Sequence, residues 1–112
     1  LDLDGDGYEQ TGWVIILMHI ADQDRVRVGA FLNKDDRIGH PSCEGGVSTG
    51  THFHIARKFN GEWIAIEGPL PFVMDGWQAY ADEMNYKGGM LKGDKEVVAS
   101  PVGPRTSIVV RE

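Results

Sequence analysis

Two histidines stand two residues apart in the segment Thr51-His52-Phe53-His54, and they are the side chains of this sequence best suited to chemistry. Side chains of a β-strand alternate between its two faces, so a strand over residues 52–59 points both imidazoles to the same side. Neutral imidazole is a common metal ligand and a proton acceptor near neutral pH. The pair therefore suits a metal or proton-transfer site. The pattern alone, however, favours two exposed histidines on a half-buried strand.

The strand of these histidines is expected to form a hairpin. Asn60-Gly61 suits a two-residue type I′ turn, which needs a positive φ at both positions, and it pairs the histidine strand with residues 62–67. This register places His54 opposite Glu67, with Cβ atoms about 5 Å apart. The other face of the strand is apolar, so we expect the core to lie behind the histidines.

Further candidate residues lie upstream of the hairpin. His19 is near the end of the apolar run 13–20, where it could face a cleft, although a satisfied histidine at a strand end is the simpler interpretation. His40 is followed by proline, which favours an extended loop backbone, and we assign it no chemistry. Cys43 and Glu44 lie in the Gly-rich loop that follows, and they could approach the same cleft.

Composition excludes several classes of function. The chain has 112 residues, which fits one domain, and its net charge of −6 provides no basic surface for nucleic acid or anionic lipid. A single cysteine, Cys43, rules out an internal disulfide framework. The apolar run 13–20 is far shorter than the roughly 20 residues that a membrane span needs, so no membrane span is expected.

The predicted fold class is mainly β, an antiparallel sheet or β-sandwich-like arrangement. Fifteen glycines separate short runs rich in Val, Ile, Phe and Trp, and helical spacing of apolar residues is rare. A short helix over residues 72–82 is expected to pack Trp77 and Tyr80 against the sheet. Besides the hairpin, strands are expected at residues 13–20, 25–31, 35–39, 88–99 and 106–111, with a loop at 41–50.

Three motifs in register resemble the lysostaphin-like zinc endopeptidases, which act on peptidoglycan. The Gly-rich loop and the histidine strand are similar to that family's signature, and Leu17-Met18-His19-Ile20 resembles its aromatic-x-His-Leu strand. The likeness covers residues 11–68, with 69–112 as a C-terminal extension of a single domain. The matching residues of the signature are Gly39-His40-Pro41-Ser42 and Ser48-Thr49-Gly50-Thr51-His52-Phe53-His54-Ile55.

The resemblance implies a role for each histidine. His54 would be a zinc ligand, His52 would act on the attacking water, and His19 would steady the charge that develops on the substrate carbonyl. The family's other zinc ligands form an upstream His-x-x-x-Asp motif, and no such motif precedes His19 here. We therefore expect the C-terminal part of a peptidase domain. The remaining ligands for one zinc ion would come from an N-terminal segment or another chain.

The resemblance also implies a secreted or cell-envelope protein with a peptidoglycan peptide as substrate. A second hypothesis is a catalytically inactive module that binds cell-wall peptides or regulates a partner hydrolase. A third is a cysteine hydrolase built on Cys43 and one of the histidines.

Two other groups of residues have a functional and a structural interpretation. Asp2, Asp4 and Asp6 resemble the start of a calcium loop, but Trp13 stands where such a loop needs a bidentate glutamate, which favours an acidic hairpin turn. Two tryptophans could stack on sugar rings, but we interpret them as packing residues. They are Trp63 and Trp77.

Overall fold

The computed structural model describes residues 1–85, 87–100 and 108–109, and these residues form seven β-strands and no helix. The strands make two antiparallel sheets, one of three strands and one of four. The chain divides into two compact units, Leu1–Trp63 and Ile64–Glu112. The prediction of a mainly β, antiparallel fold is confirmed. Within the described residues there is no helix that could cross a membrane.

The first unit contains the sheet that positions the histidines. It has the order β1-β2-β3, with β1 at Trp13–Met18, β2 at His54–Phe59 and β3 at Glu62–Trp63. β1 and β2 pair antiparallel along their whole length, and the last pair joins Met18 to His54. His19 follows Met18 directly, so the ladder brings His19 and His54 to the same end of the sheet.

The predicted Asn60-Gly61 turn is confirmed. Its two residues have φ values of 48° and 82°, as a type I′ turn requires. The register is the predicted one, but β3 ends at Trp63, where the chain passes into the second unit. The expected strand over residues 62–67 is therefore too long, and the predicted pairing of His54 with Glu67 is wrong.

The packed face of β2 is the face away from His54. Arg57 is buried, and its guanidinium carbon lies 5.4 Å from the centre of the Trp13 ring. The Trp13 ring also packs on Phe59, with ring centres 4.8 Å apart. His54 is exposed. The prediction of a packed face opposite the histidine side of β2 is confirmed.

Two strands predicted between β1 and β2 are wrong. Residues 25–31 and 35–39 contain no strand. Asp24, Gly29 and Asp35 have φ values of 58°, 83° and 76°, in the left-handed region, and each one breaks an extended backbone. The alternation of apolar and polar residues here reflects a looped segment and not a half-buried strand.

The second unit contains a meander of four strands in the order β4-β5-β6-β7. The helix predicted over residues 72–82 is wrong, because Asp75-Gly76 forms a tight turn with φ values of 50° and 77°. An Asp-Gly pair between extended residues is a hairpin signal, and here it outweighs the helical spacing of the aromatic residues. The strands are β4 at Val73–Met74, β5 at Trp77–Ala81, β6 at Gly88–Lys92 and β7 at Lys95–Val98.

The expected strand over residues 88–99 is instead a hairpin. Gly93 has a φ of 60° and begins the turn between β6 and β7. The expected strand over residues 106–111 lies outside the described residues except at 108–109, which are not in a strand.

Tyr80 of β5 reaches across β6 to Glu96 of β7. Its hydroxyl donates a 2.7 Å hydrogen bond to Glu96 Oε1. A side chain at Gly89 would block this path, because its Cβ would lie 2.7 Å from the Tyr80 oxygen. The hydrogen bond, followed by desolvation and the negative charge of Glu96, raises the pKa of Tyr80 above its ordinary value.

This shift predicts a pH-dependent contribution of Tyr80 to stability. A raised pKa in the folded state stabilises the fold below the unfolded pKa of about 10, and the contribution is lost as the pH rises through the folded pKa. We expect Tyr80→Phe to lower the free energy of unfolding at pH 7, because the variant loses the hydrogen bond to Glu96. The difference between the two proteins should shrink above about pH 10, as measured by urea unfolding. A difference that stays constant with pH would contradict this account.

Candidate active site around His19 and His52

His19 lies at the turn that follows β1, and its ring is held by the main chain of the Gly-rich loop. Its Nδ1 lies 2.7 Å from the carbonyl oxygen of Glu44, and only 7% of the residue is exposed. A carbonyl oxygen only accepts hydrogen bonds, so Nδ1 carries the proton. In the neutral ring, Nε2 is then left with a lone pair.

His52 is held in the same way by a different part of this loop. Its Nδ1 lies 2.8 Å from the carbonyl oxygen of Gly50 and 3.2 Å from the hydroxyl of Ser48. The Ser48 hydroxyl donates its own proton to the Gly50 carbonyl at 2.6 Å, so it is free to accept one from the ring. The Nδ1 of His52 is therefore a donor as well, and its Nε2 keeps the lone pair.

The two rings contact each other. The ring centres of His19 and His52 lie 4.6 Å apart, with an angle of 44° between the ring planes. Ser42 connects the two histidines through the main chain. Its amide donates to the His19 carbonyl, and it forms an isolated β-bridge with His52. Two imidazoles with the same nitrogen fixed to the backbone can receive or donate a proton at their Nε2 atoms without losing their orientation.

His54 occupies a different position from His52. The predicted strand began at His52, but β2 begins at His54. The His54 side chain is exposed. Catalytic zinc sites take three protein ligands. Among the described residues, no group of three possible ligand side chains within 4.8 Å of one another includes His54. The described residues alone therefore do not form a zinc site at this histidine.

A cavity of about 320 Å³ opens beside His19 within the first unit. Its walls are mainly apolar, and Arg25 is the one charged side chain among the described residues that line it. That guanidinium also makes a 2.7 Å ion pair with Asp22. The cavity offers room for an apolar group of a ligand next to the His19 ring. The apolar lining residues are Leu1, Leu17, Met18, Ile20, Val26 and Ile38.

The acidic segment at the start of the chain forms a turn, as predicted. Asp2 accepts a 2.7 Å hydrogen bond from the Gly7 amide, which lowers the pKa of Asp2. Asp4 accepts a hydrogen bond from the Asp6 amide, and this bond alone would lower its pKa. Desolvation and the neighbouring carboxylates have a larger opposite effect, so the pKa of Asp4 is raised. The carboxylates serve as acceptors for the main chain of the turn.

The remaining candidates have these surroundings. Cys43 is exposed in the Gly-rich loop. Glu44 lies near the candidate site, as expected, and contacts His19 through its carbonyl oxygen. Trp77 is buried and packs, whereas Trp63 is 62% exposed, with the Lys58 ammonium 4.5 Å from its ring centre.

The main-chain carbonyls of Glu44 and Gly50 are the functional groups that sequence reasoning missed. A carbonyl is present at every position, so no residue type marks the ones that bind a side chain. The only signal was the density of glycines in the loop, which allows its backbone to approach the rings closely.

Comparison with known proteins finds a relative among proteases. Over 65 residues the chain is 32% identical to Protease LasA from two strains of Pseudomonas aeruginosa. This match takes in 52% of the chain but only 15% of the length of the protease. No family model matches the chain, and no solved structure matches it. Half of this chain is therefore similar to a small part of a protease.

Proposed function

We propose that this chain is part of a zinc-dependent endopeptidase of the lysostaphin-like family that hydrolyses peptide bonds of peptidoglycan outside the cell or in the cell envelope. The observation that carries the proposal is the His19–His52 pair, whose rings lie 4.6 Å apart with each Nδ1 bound to a main-chain carbonyl. The similarity to a protease and the motifs around both histidines support the same reaction class.

His52 is the proposed general base. Its neutral ring keeps a lone pair on Nε2 because Nδ1 donates to the Gly50 carbonyl. That lone pair accepts a proton from the water that attacks the scissile carbonyl, and the ring then returns a proton to the leaving amine. His52 is exposed, so water and substrate can reach it.

His19 is the proposed donor to the substrate oxygen. In its protonated form, Nδ1–H stays on the Glu44 carbonyl and Nε2–H is available to the oxygen on which negative charge develops. His19 is buried and lines the cavity. A donor in such a partly dry site stabilises developing charge more strongly than the same donor in water.

His54 is the proposed zinc ligand of this chain. A zinc ion bound there would polarise the scissile carbonyl and lower the pKa of its bound water. The other ligands must come from residues beyond the described part of the chain, such as a segment that completes the domain.

The proposal is tested by incubating the full-length protein with purified peptidoglycan and measuring new free amino groups. Cleavage is expected, together with its loss on chelation and its return on adding zinc. Binding to peptidoglycan with no new amino groups would instead indicate the catalytically inactive module. Cleavage that resists chelation and stops on thiol alkylation would indicate a cysteine hydrolase based on Cys43.

A further inference from the structure

His19 has an unusual backbone conformation that needs support from its surroundings. Its φ is 64°, in the left-handed region that a non-glycine residue rarely occupies. The strain turns the chain at the end of β1, so that the ring faces His52. Neighbouring groups must therefore hold both the main chain and the ring of His19.

Ser42 holds the main chain of His19. The carbonyl oxygen of His19 accepts hydrogen bonds from the Ser42 amide at 2.7 Å and from the Ser42 hydroxyl at 3.0 Å. The same hydroxyl accepts a 3.0 Å hydrogen bond from the Glu44 amide. Ser42 thus links the backbone of His19 to the residue whose carbonyl binds its ring.

Glu44 contacts the His19 turn through both its main chain and its side chain. The carbonyl oxygen receives Nδ1–H of His19 at 2.7 Å, and the carboxylate accepts a 2.7 Å hydrogen bond from the Asp22 amide. Asp22 lies three residues after His19, so the carboxylate ties the loop to the turn on which His19 stands. An anionic acceptor makes this hydrogen bond stronger than a neutral one would be.

The loop beyond Glu44 passes close to the His19 ring. Gly46 has a φ of 145°, and a Cβ at that position would lie 3.4 Å from Cε1 of His19. Gly45 has a φ of 75°, which also favours glycine. These two glycines give the loop little intrinsic rigidity, so its position depends on the contacts of Ser42 and Glu44.

We propose that Glu44 is a positioning residue: its carboxylate anchors the loop to Asp22, and its carbonyl thereby holds Nδ1–H of the His19 ring, so that Nε2 is directed to the reaction in both the neutral and the protonated ring. The effect on catalysis rests on the proposed function. The arrangement of the ring does not, because it can be measured in the protein without substrate.

The first readout is the protonation pattern of the His19 ring. Nitrogen-15 NMR of the full-length protein near about pH 8.5, where imidazoles are neutral, reports which ring nitrogen carries the proton. We expect the wild type to hold the proton on Nδ1 of His19. Glu44→Ala should give a mixture of both tautomers, whereas Glu44→Gln should keep the wild-type pattern because its amide oxygen still accepts from Asp22.

The second readout is the rate of peptidoglycan cleavage. Glu44→Ala should lower kcat by about 10- to 100-fold, with little change in KM, since small displacements of a catalytic group carry losses of this size. Glu44→Gln should restore most of the activity. Glu62→Ala, at an exposed position of β3, is the matched control and should change neither readout.

The outcomes separate the two proposals. An unchanged His19 ring in Glu44→Ala, or a change in Glu44→Gln as large as in Glu44→Ala, would overturn the positioning role. Absence of cleavage by the wild type, with the expected tautomer changes, would overturn the proposed function and leave the positioning role supported. If Glu44→Ala does not fold, Glu44→Asp provides the same test, because its shorter carboxylate does not reach Asp22 from the same main-chain position.

Discussion

Replacing His52 with alanine in the full-length protein is expected to lower kcat/KM for peptidoglycan cleavage by about 10²- to 10⁴-fold, the usual contribution of a general base. The reason is the lone pair on Nε2, which the hydrogen bond from Nδ1 to the Gly50 carbonyl preserves. Without the imidazole, the attacking water loses its proposed proton acceptor. The measurement is the initial rate of amino-group release at several substrate concentrations.

The control for this variant is His40→Ala. His40 lies in the same region of the chain, and we assign it no role in the reaction, so its kcat/KM should stay within about twofold of the wild type. His52 is exposed, and its loss should change the free energy of unfolding by less than about 0.5 kcal/mol. A His52→Ala protein that is folded and retains the wild-type rate would contradict the assignment of the base.

Replacing His54 with alanine is expected to remove both zinc and activity from the full-length protein. Loss of a group that only orients a metal ligand already weakens metal affinity by about 10- to 100-fold, so loss of the ligand itself should weaken it by at least about 100-fold. Metal analysis after dialysis should find about one zinc ion per wild-type molecule and almost none in the variant.

The matched control is His52→Ala, which should keep its zinc while it loses activity. The two variants therefore separate a ligand from a proton acceptor two residues away in the sequence. Circular dichroism should show that both variants keep the β-sheet signal of the wild type. Zinc content unchanged by His54→Ala would defeat the proposal that His54 binds the metal.

The sequence predicts the β2-β3 hairpin, because its turn depends on local backbone chemistry. Asn60-Gly61 fixes both the turn and the register of β2 with β3, because few residue pairs accept two positive φ values. The length of β3 was not predictable from the same signal. It ends at Trp63, and a turn determines where a hairpin starts but not how far its strands continue.

At Asp75-Gly76 the same kind of signal competes with a helical pattern. The aromatic spacing around Trp77 favours a helix, but Asp-Gly between extended residues favours a hairpin, and the structure contains the hairpin. The strands predicted at residues 25–31 and 35–39 are wrong for another reason. Aspartates there adopt positive φ values, which composition alone does not reveal because aspartate also occurs in strands and helices.

The candidate site was predictable in its residues but not in its contacts. His19 and His52 are separated by 33 positions in the sequence, and only the antiparallel pairing of β1 with β2 and the return of the loop bring their rings together. The resemblance implied separate roles for both histidines. It did not indicate that Glu44 and Gly50 would fix the tautomers through their carbonyl groups, since that depends on the path of the loop.

The most direct test of the account is a double-mutant comparison of the two histidines in the cleavage assay. Asparagine replaces His19, because it tolerates the left-handed backbone at this position, and alanine replaces His52. If the reaction needs both rings, each single variant should lose activity, His52→Ala by about 10²- to 10⁴-fold, and the double variant should lose less than the product of the two losses, because side chains in contact are coupled. Losses that multiply as if the histidines were independent, or a single variant with wild-type activity, would contradict the pair as the centre of the reaction.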